Sequence, residues 1–182
     1  MMEKFNEEET ILQLQHPGTQ LQAFRKIVDR YSQPLYWHIR RMVVYHEDAD
    51  DVLQNTFIKA WSNIANFRGE SKISTWLYKI AYNESLTFLS RKHQSVSLDD
   101  VDENLVERLE CDRYFDGDKV QVMLQEAIST LPDKQRAVFN MKYFKEMKYE
   151  EIAEVFGTSV GALKASYHHA VKKIEAFFKE RS

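Results

Sequence analysis

The 182 residues contain a single cysteine, Cys111, which excludes an internal disulfide and suits a reducing compartment. No apolar run approaches the roughly 20 residues that a helix needs to cross a bilayer, so membrane insertion is not expected. The opening MMEKFNEEET is polar and acidic, without the basic start and apolar core of a secretory signal. A soluble, cytoplasmic protein is expected. There is no overall basic excess either. The formal net charge is −3, unlike a domain whose charge alone advertises nucleic-acid binding. Only five glycines and three prolines punctuate the chain, alternating β-branched runs are missing, and no internal repeat is visible. A sheet is not expected.

What is present is helical spacing. Hydrophobic residues make up 43% and aromatics 13% of the chain, enough for one ordinary domain or two small ones. Leu21, Phe24, Ile27, Val28 and Tyr31 fall on one helix face, continued after Pro34 by Leu35, Ile39, Met42 and Val43. Val52, Thr56, Phe57, Ala60, Trp61 and Ile64 form a second stripe, and Trp76, Leu77, Ile80, Ala81 and Phe88 a third. Val120, Leu124, Ala127, Ile128 and Leu131 form another, which Pro132 ends because the residue before proline leaves helical geometry. Two helices follow at about 133–144 and 149–156, and a last one runs from Val160 into KKIEAFFKE. Such narrow stripes pack as bundles.

Charge divides the chain further. Residues 1–95 carry 12 Lys+Arg against 11 Asp+Glu, residues 96–118 carry 2 against 9, and residues 119–182 carry 11 against 8. The acidic middle, with its scattered apolar residues, reads as a flexible linker. The expected architecture is all-α: two small helical domains, 1–95 and 119–182, joined by the acidic linker 96–118.

Within the second domain, YEEIAEVFGTSVGAL has the pattern of a helix-turn-helix. Ala153 is small where two helices cross, and Gly157 suits the left-handed backbone that ends a helix. Ile152, Phe156 and Leu163 are spaced to pin the pair, and Thr158 or Ser159 can cap the second helix. Gly161 and Ala162 let its first turn approach a base edge. An αα-hairpin packed for structure alone is the plainer alternative. For DNA, the candidate contacts are Lys164, Ser166, His168 and His169, with Lys142, Lys145 and Lys148 placed for phosphates. His168 and His169 are adjacent, which does not suit a helical metal pair, and no cofactor or metal is expected. So few cations neutralise few phosphates, so this domain alone would bind weakly.

In the first domain, DADDVLQNTFIKAW opens with acids. Asp48 and Asp50 sit where a helix dipole favours negative charge. Asp51, Gln54 and Asn55 lie off the apolar stripe and make a polar patch suited to a partner helix carrying arginines. FRGESKISTWLYKIAYNESLTFLSRKH then places a glycine-containing loop before a helix with Trp76, Tyr78 and Tyr82, interleaved with Arg68, Lys72, Lys79, Arg91 and Lys92. Aromatics among cations suit unstacked bases on a charged strand, although Trp76 and Ile80 also have the spacing of core residues. Asn83, with its two-sided amide, is a candidate for reading a base.

With both halves in view, the chain resembles an extracytoplasmic-function sigma factor, the two-domain minimal class of the main bacterial sigma family, from about Leu21 to Phe178. DADDVLQNTFIKAW resembles the polymerase-binding helix and FRGESKISTWLYKIAYN the promoter-melting segment. LPDKQRAVFNMKYFKEMKYEEIAEVFGTSVGALK resembles the −35 domain. The resemblance implies that Asp51, Gln54 and Asn55 meet the clamp helices of core RNA polymerase. It implies that Phe67, Arg68, Lys79 and Asn83 contact the −10 element, where a base is flipped out. Lys148, Ser159, Gly161, Ala162, Lys164, Ala165 and His169 would contact the −35 element of promoter DNA. The acidic linker would pass near the polymerase active site and RNA exit path. Proteins of this class are commonly held by an anti-sigma factor. Two departures stand out: Asn55 replaces a usual Glu, and ASYHHAV replaces a usual Ser–Arg followed by more arginines.

Two other functions compete. A dimeric helix-turn-helix regulator explains the second domain but gives the aromatic–basic segment and the Asp–Gln–Asn patch no role. A Mg²⁺ nuclease built on Asp48, Asp50 and Asp51 lacks convergent ligands from separate elements. The protein is therefore not expected to be an enzyme.

Overall fold

A computed structural model describes residues 4–95, Leu105, Leu109 and 118–182. The expected linker therefore lies outside the described residues except for Leu105, Leu109, which is buried, and Asp118. All regular structure among the described residues is helical. The chain divides into two compact units, Met1–Ser85 with Glu154–Phe156, and Leu86–Ala153 with Gly157–Ser182. None of the described helices is long and apolar enough to cross a membrane.

The first unit begins with α1 (Glu7–Leu14), a helix that hydrophobic spacing alone does not announce. Asn6 Oδ1 accepts from the Glu9 N–H at 3.2 Å, and Glu7, Glu8 and Glu9 fill the dipole-favoured first turn. Thr10 and Leu14 form its buried side. Next, α2 (Pro17–Val43) starts with proline in its first turn, where the missing N–H costs nothing. It continues through Pro34, burying Ala23, Phe24, Ile27, Leu35, Ile39, Met42 and Val43. Leu21, expected on that stripe, is exposed.

Val44 ends α2 at φ 77°, ψ −45°. A β-branched residue there stores on the order of 1–3 kcal/mol. Two hydrogen bonds clamp it: its N–H donates to the Arg40 carbonyl at 2.8 Å, and Arg40 Nε donates to the Val44 carbonyl at 2.6 Å. The clamp frees α3 (His46–Ser62) to leave in a new direction, with Ala49, Val52, Thr56 and Ala60 buried. A short 3₁₀ turn (Ile64–Asn66) and a loop lead to α4 (Ile73–Ser95). On α4 the fully buried positions are Ile73, Leu77, Ala81 and Ser85, with Tyr78 and Tyr82 beside them. Trp76 and Ile80, placed by spacing in the core stripe, are only half-buried. The buried face runs through Ile73, Leu77, Ala81 and Ser85 and is therefore rotated towards the tyrosines.

In the second unit, Asp118 caps α5 (Lys119–Ser129) by accepting from Val120 and Gln121 N–H at 3.0 and 3.2 Å. Val120 is 64% exposed rather than core, being only the second residue of its helix. Then come α6 (Asp133–Tyr143), α7 (Tyr149–Phe156) and α8 (Val160–Glu180). Ala127, Ile128, Leu131, Phe139, Ala170 and Ile174 form the core, with Leu124, Tyr167, Val171 and Phe178 around it. The buried guanidinium of Arg136 donates to the Ser129 and Leu131 carbonyls at 2.8 and 3.2 Å, closing the end of α5. Gly157 terminates α7 at φ 62°, ψ 37°, its N–H donating to the Ala153 carbonyl at 2.8 Å.

The glycines supply a test. An added Cβ meets nothing within 4 Å at Gly157 or at Gly18, so only backbone conformation distinguishes them. Gly157→Ala should cost about 1–2 kcal/mol because φ is positive, whereas Gly18→Ala, within helix α2, should stabilise by up to about 1 kcal/mol. Trp37, Trp61 and Trp76, the three tryptophans, all lie in the first unit. Urea unfolding followed by fluorescence should register the Gly18 change, and far-UV circular dichroism the Gly157 change.

Candidate nucleic-acid interface

Helix α3 presents Asp51, Gln54 and Asn55 on its exposed side, opposite buried Val52, Thr56 and Ala60. The spacing i, i+3, i+4 brings the three together on one turn. Ile58, one turn further on the same face, is 61% exposed. Sequence reasoning missed it because an isolated apolar residue on a polar face is ordinary; its spacing from Asp51 was the available signal. Asp50 is engaged differently: His46 Nε2 lies 3.3 Å from its carboxylate, and His46 Nδ1 is bonded to the Tyr36 hydroxyl. Asp48 is half-buried in the first turn. Both therefore act at the helix start, leaving Asp51 to face outward.

Between α3 and α4 the loop is fastened at several points. The Phe67 ring is 7% exposed and lies on Trp76, with centroids 4.6 Å apart and planes 30° apart. Arg68 is exposed beside it, and Gly69 turns the chain at φ 75°. Lys79 and Asn83, one turn apart on α4, are both exposed. Tyr78 is buried edge-on against His38, centroids 5.0 Å apart, and burial pushes its hydroxyl pKa up, with Tyr31 adding to the shift. Tyr82 is buried as well. Of the aromatics expected to stack bases, only Trp76 retains an accessible edge. Arg68, Lys79 and Asn83 are the exposed polar candidates here, and Phe67 is packed on Trp76 beside Arg68.

Lys59 of α3 reaches Glu84 of α4, a carboxylate that is itself buried. This ion pair ties the two helices that carry the candidate residues, and nothing in their sequence pattern revealed it.

In the second unit, Ser159 Oγ accepts from the Ala162 N–H at 3.2 Å, capping α8 as expected. Gly161, Ala162, Lys164, Ala165, His168 and His169 are exposed, and Ser166 is half-buried. Ile152 and Leu163 are fully buried and Val155 is buried, whereas Phe156 is only half-buried. Lys142 and Lys164 converge on the Tyr149 ring, with Nζ atoms 4.6 and 5.7 Å from its centroid. A cation over an aromatic face is held without losing its charge. Lys142 also donates to the Met147 carbonyl at 3.1 Å. Lys148 is exposed at the start of α7, where its N–H donates to Glu151. Phe139 stacks on both Tyr143 and Tyr167, at 5.1 and 5.8 Å, and Tyr143 remains 53% exposed. Burial, followed by the nearby Tyr149 and Tyr143, raises the Tyr167 hydroxyl pKa.

Residues 27–95 match the family described as Sigma-70 region 2, and residues 121–174 match Sigma-70, region 4. The ECF RNA polymerase sigma factor SigW of Bacillus subtilis is 33% identical over 156 residues, covering 80% of this chain and 83% of SigW. The RNA polymerase sigma-H factor of Pseudomonas aeruginosa is 30% identical over 163 residues, covering 84% of each chain. Among solved structures, CnrH in complex with the cytosolic domain of CnrY has a similar fold, with TM-score 0.73 and 21% identity over 97% of this chain and 99% of that one. The sigma factor RpoE of Bartonella quintana, in complex with the anti-sigma factor NepR, gives TM-score 0.68 and 19% identity over 86% and 96%.

The Lys59–Glu84 pair generates a direct test. Lys59→Ala leaves a buried carboxylate without its cation and should cost about 1–2 kcal/mol, less than a fully buried pair because the lysine is half in water. Adding Glu84→Gln should recover most of that loss in urea unfolding followed by tryptophan fluorescence. An undiminished loss in the double variant would place the cause elsewhere.

Proposed function

Because the chain belongs to the extracytoplasmic-function sigma factors, which direct RNA polymerase to promoters, we propose that its candidate residues divide the work of initiation. The observation that carries this reading is the exposed Asp51, Gln54 and Asn55 turn of α3 inside the region 2 match. These side chains would receive basic residues on the clamp helices of core polymerase through charge-assisted hydrogen bonds. Ile58 would add an apolar contact at the edge of that face.

Arg68, Lys79 and Asn83 would hold the melted −10 strand. Arg68 and Lys79 supply charge for the backbone, and the Asn83 amide matches a base edge. Unstacking a base costs a few kcal/mol, recovered by contacts in the protein. Phe67, buried against Trp76, would act there mainly by shaping the loop. At the −35 element, Gly161, Ala162, Ala165 and His169 would approach base edges from the start of α8. Lys148, Lys164 and the Ser159 cap would fix its position on phosphates.

So few cations would bind DNA poorly alone. On polymerase, both units are tethered over one promoter, and tethering raises the effective concentration of each weak reader. The protein acts through binding and does no chemistry of its own, in the cytoplasm where polymerase works. The acidic 96–118 segment would lie along the polymerase channel as a displaceable stand-in for nucleic acid. An anti-sigma partner would restrain the protein until it is needed; the CnrH and RpoE complexes, similar in fold, support this. A dimeric regulator would use residues 121–174 and leave the region 2 match without purpose.

Mixing the protein with core polymerase should give a stable complex that Asp51→Arg/Gln54→Ala abolishes while the variant stays folded. A variant that binds core like the wild type would remove the α3 face from the interface. In the assembled holoenzyme, Lys164→Ala should weaken promoter binding uniformly across −35 sequences and lower the slope of log affinity against log salt by about 1. An unchanged slope would mean that Lys164 meets no phosphate.

A further inference from the structure

We propose that α1, which precedes both family matches, is part of the −10 reading apparatus, with Glu7 and Ile11 as positioning residues for the loop at residues 67–72. The inference rests on the −10 assignment above.

Among the contacts that hold this loop, two come from α1. Glu7 Oε1 accepts from the Ile73 N–H at 2.7 Å, across 66 residues of sequence. That N–H is among the first of α4, which have no acceptor within their own helix. A carboxylate there also meets the positive end of the helix dipole. Glu7 thus fixes where α4 begins, and Lys79 and Asn83 follow in register. At mid-loop, Ile11 lies against Gly69: a Cβ added at residue 69 would sit 2.9 Å from Ile11 Cγ2. Gly69 is therefore required twice, by its φ of 75° and by the side chain packed over it. Phe67 packed on Trp76 adds a further anchor. Between these anchors only Arg68 of the first three loop residues has an exposed side chain.

Anchors on both sides of Arg68 reduce the freedom that base capture would otherwise have to remove. α1 is itself held: Thr10 and Leu14 are buried, and the Phe5 ring preceding it stands edge-on to Tyr31 of α2 at 5.8 Å. The loop is consequently referenced to the body of the first unit through α1.

The test uses full-length protein assembled with core polymerase, on a promoter that the wild-type holoenzyme transcribes. Two quantities are measured: affinity for core, and affinity for a single-stranded oligonucleotide carrying that promoter's non-template −10 sequence. Glu7→Ala should lower strand affinity roughly 3- to 30-fold, the range for losing a helix cap, with core affinity unchanged. Glu7→Gln keeps an acceptor oxygen and should fall between Ala and wild type, whereas Glu7→Asp, a methylene shorter, should resemble Ala. Gly69→Ala should also weaken strand binding, and Ile11→Ala added to it should restore part of the loss by removing the clash. Wild-type strand affinity in Glu7→Ala would overturn the proposal while leaving the −10 assignment standing. Equal losses of strand and core affinity would overturn it too, as general destabilisation. A wild-type holoenzyme that transcribes the promoter yet ignores the strand would overturn both.

Discussion

Helical register is the constraint on which the rest of this protein depends. Most proposed contacts lie on the outer side of a helix whose inner side is buried, and Arg68 lies on a loop fastened to one, so the core decides where the readers point. On α3, burial of Val52, Thr56 and Ala60 turns Asp51, Gln54 and Asn55 outward together. On α8, burial of Leu163, Ala170 and Ile174 leaves Lys164, Ala165, His168 and His169 in solvent. A rotation of about 100° per residue means that a one-residue slip would replace each set with a different one. Caps and clamps therefore have functional weight. Ser159, Asp118 and the Arg40–Val44 clamp fix starts and ends, and those fix register.

The second unit shows how a protein with so little positive charge concentrates what it has. Lys142 and Lys164, from different helices, share one aromatic ring, Tyr149. The ring's negative π-faces attract both ammonium groups and so help to hold two like charges around one residue. The result is a small region of dense charge on a unit of modest net charge. Such an arrangement favours a fixed site on a phosphate backbone over long-range attraction to any nucleic acid.

Much of this was legible in the sequence because it depends on spacing. Pro132, Gly157 and Ser159 announced helix ends by known local chemistry, and α7 occupies the expected residues. The outward direction of Asp51, Gln54 and Asn55 followed from the apolar stripe beside them. What escaped were features made by contacts distant in sequence. Lys59–Glu84 and Glu7–Ile73 join residues whose proximity no periodicity encodes. Helix α1 escaped for a local reason: its short buried side, Thr10 and Leu14, is too small a stripe, although Asn6 followed by three glutamates is a helix-start signal. Trp76 and Tyr78 exchanged roles because, two residues apart, they point to different sides of α4, and the side that buries Ile73, Leu77 and Ala81 takes in the tyrosine.

The Ile11–Gly69 contact bears on modularity. A loop that contacts DNA looks like a cassette to be exchanged between relatives to change the promoter selected. Here the cassette's shape is completed by a side chain almost sixty residues upstream, so a transplanted loop with any larger residue at 69 would collide with its new host. The portable unit is the loop together with α1 and the surface of α2 on which α1 rests. Drift at residue 11 and drift at residue 69 are likewise coupled: the upstream side chain is free to be large only while the downstream position has none.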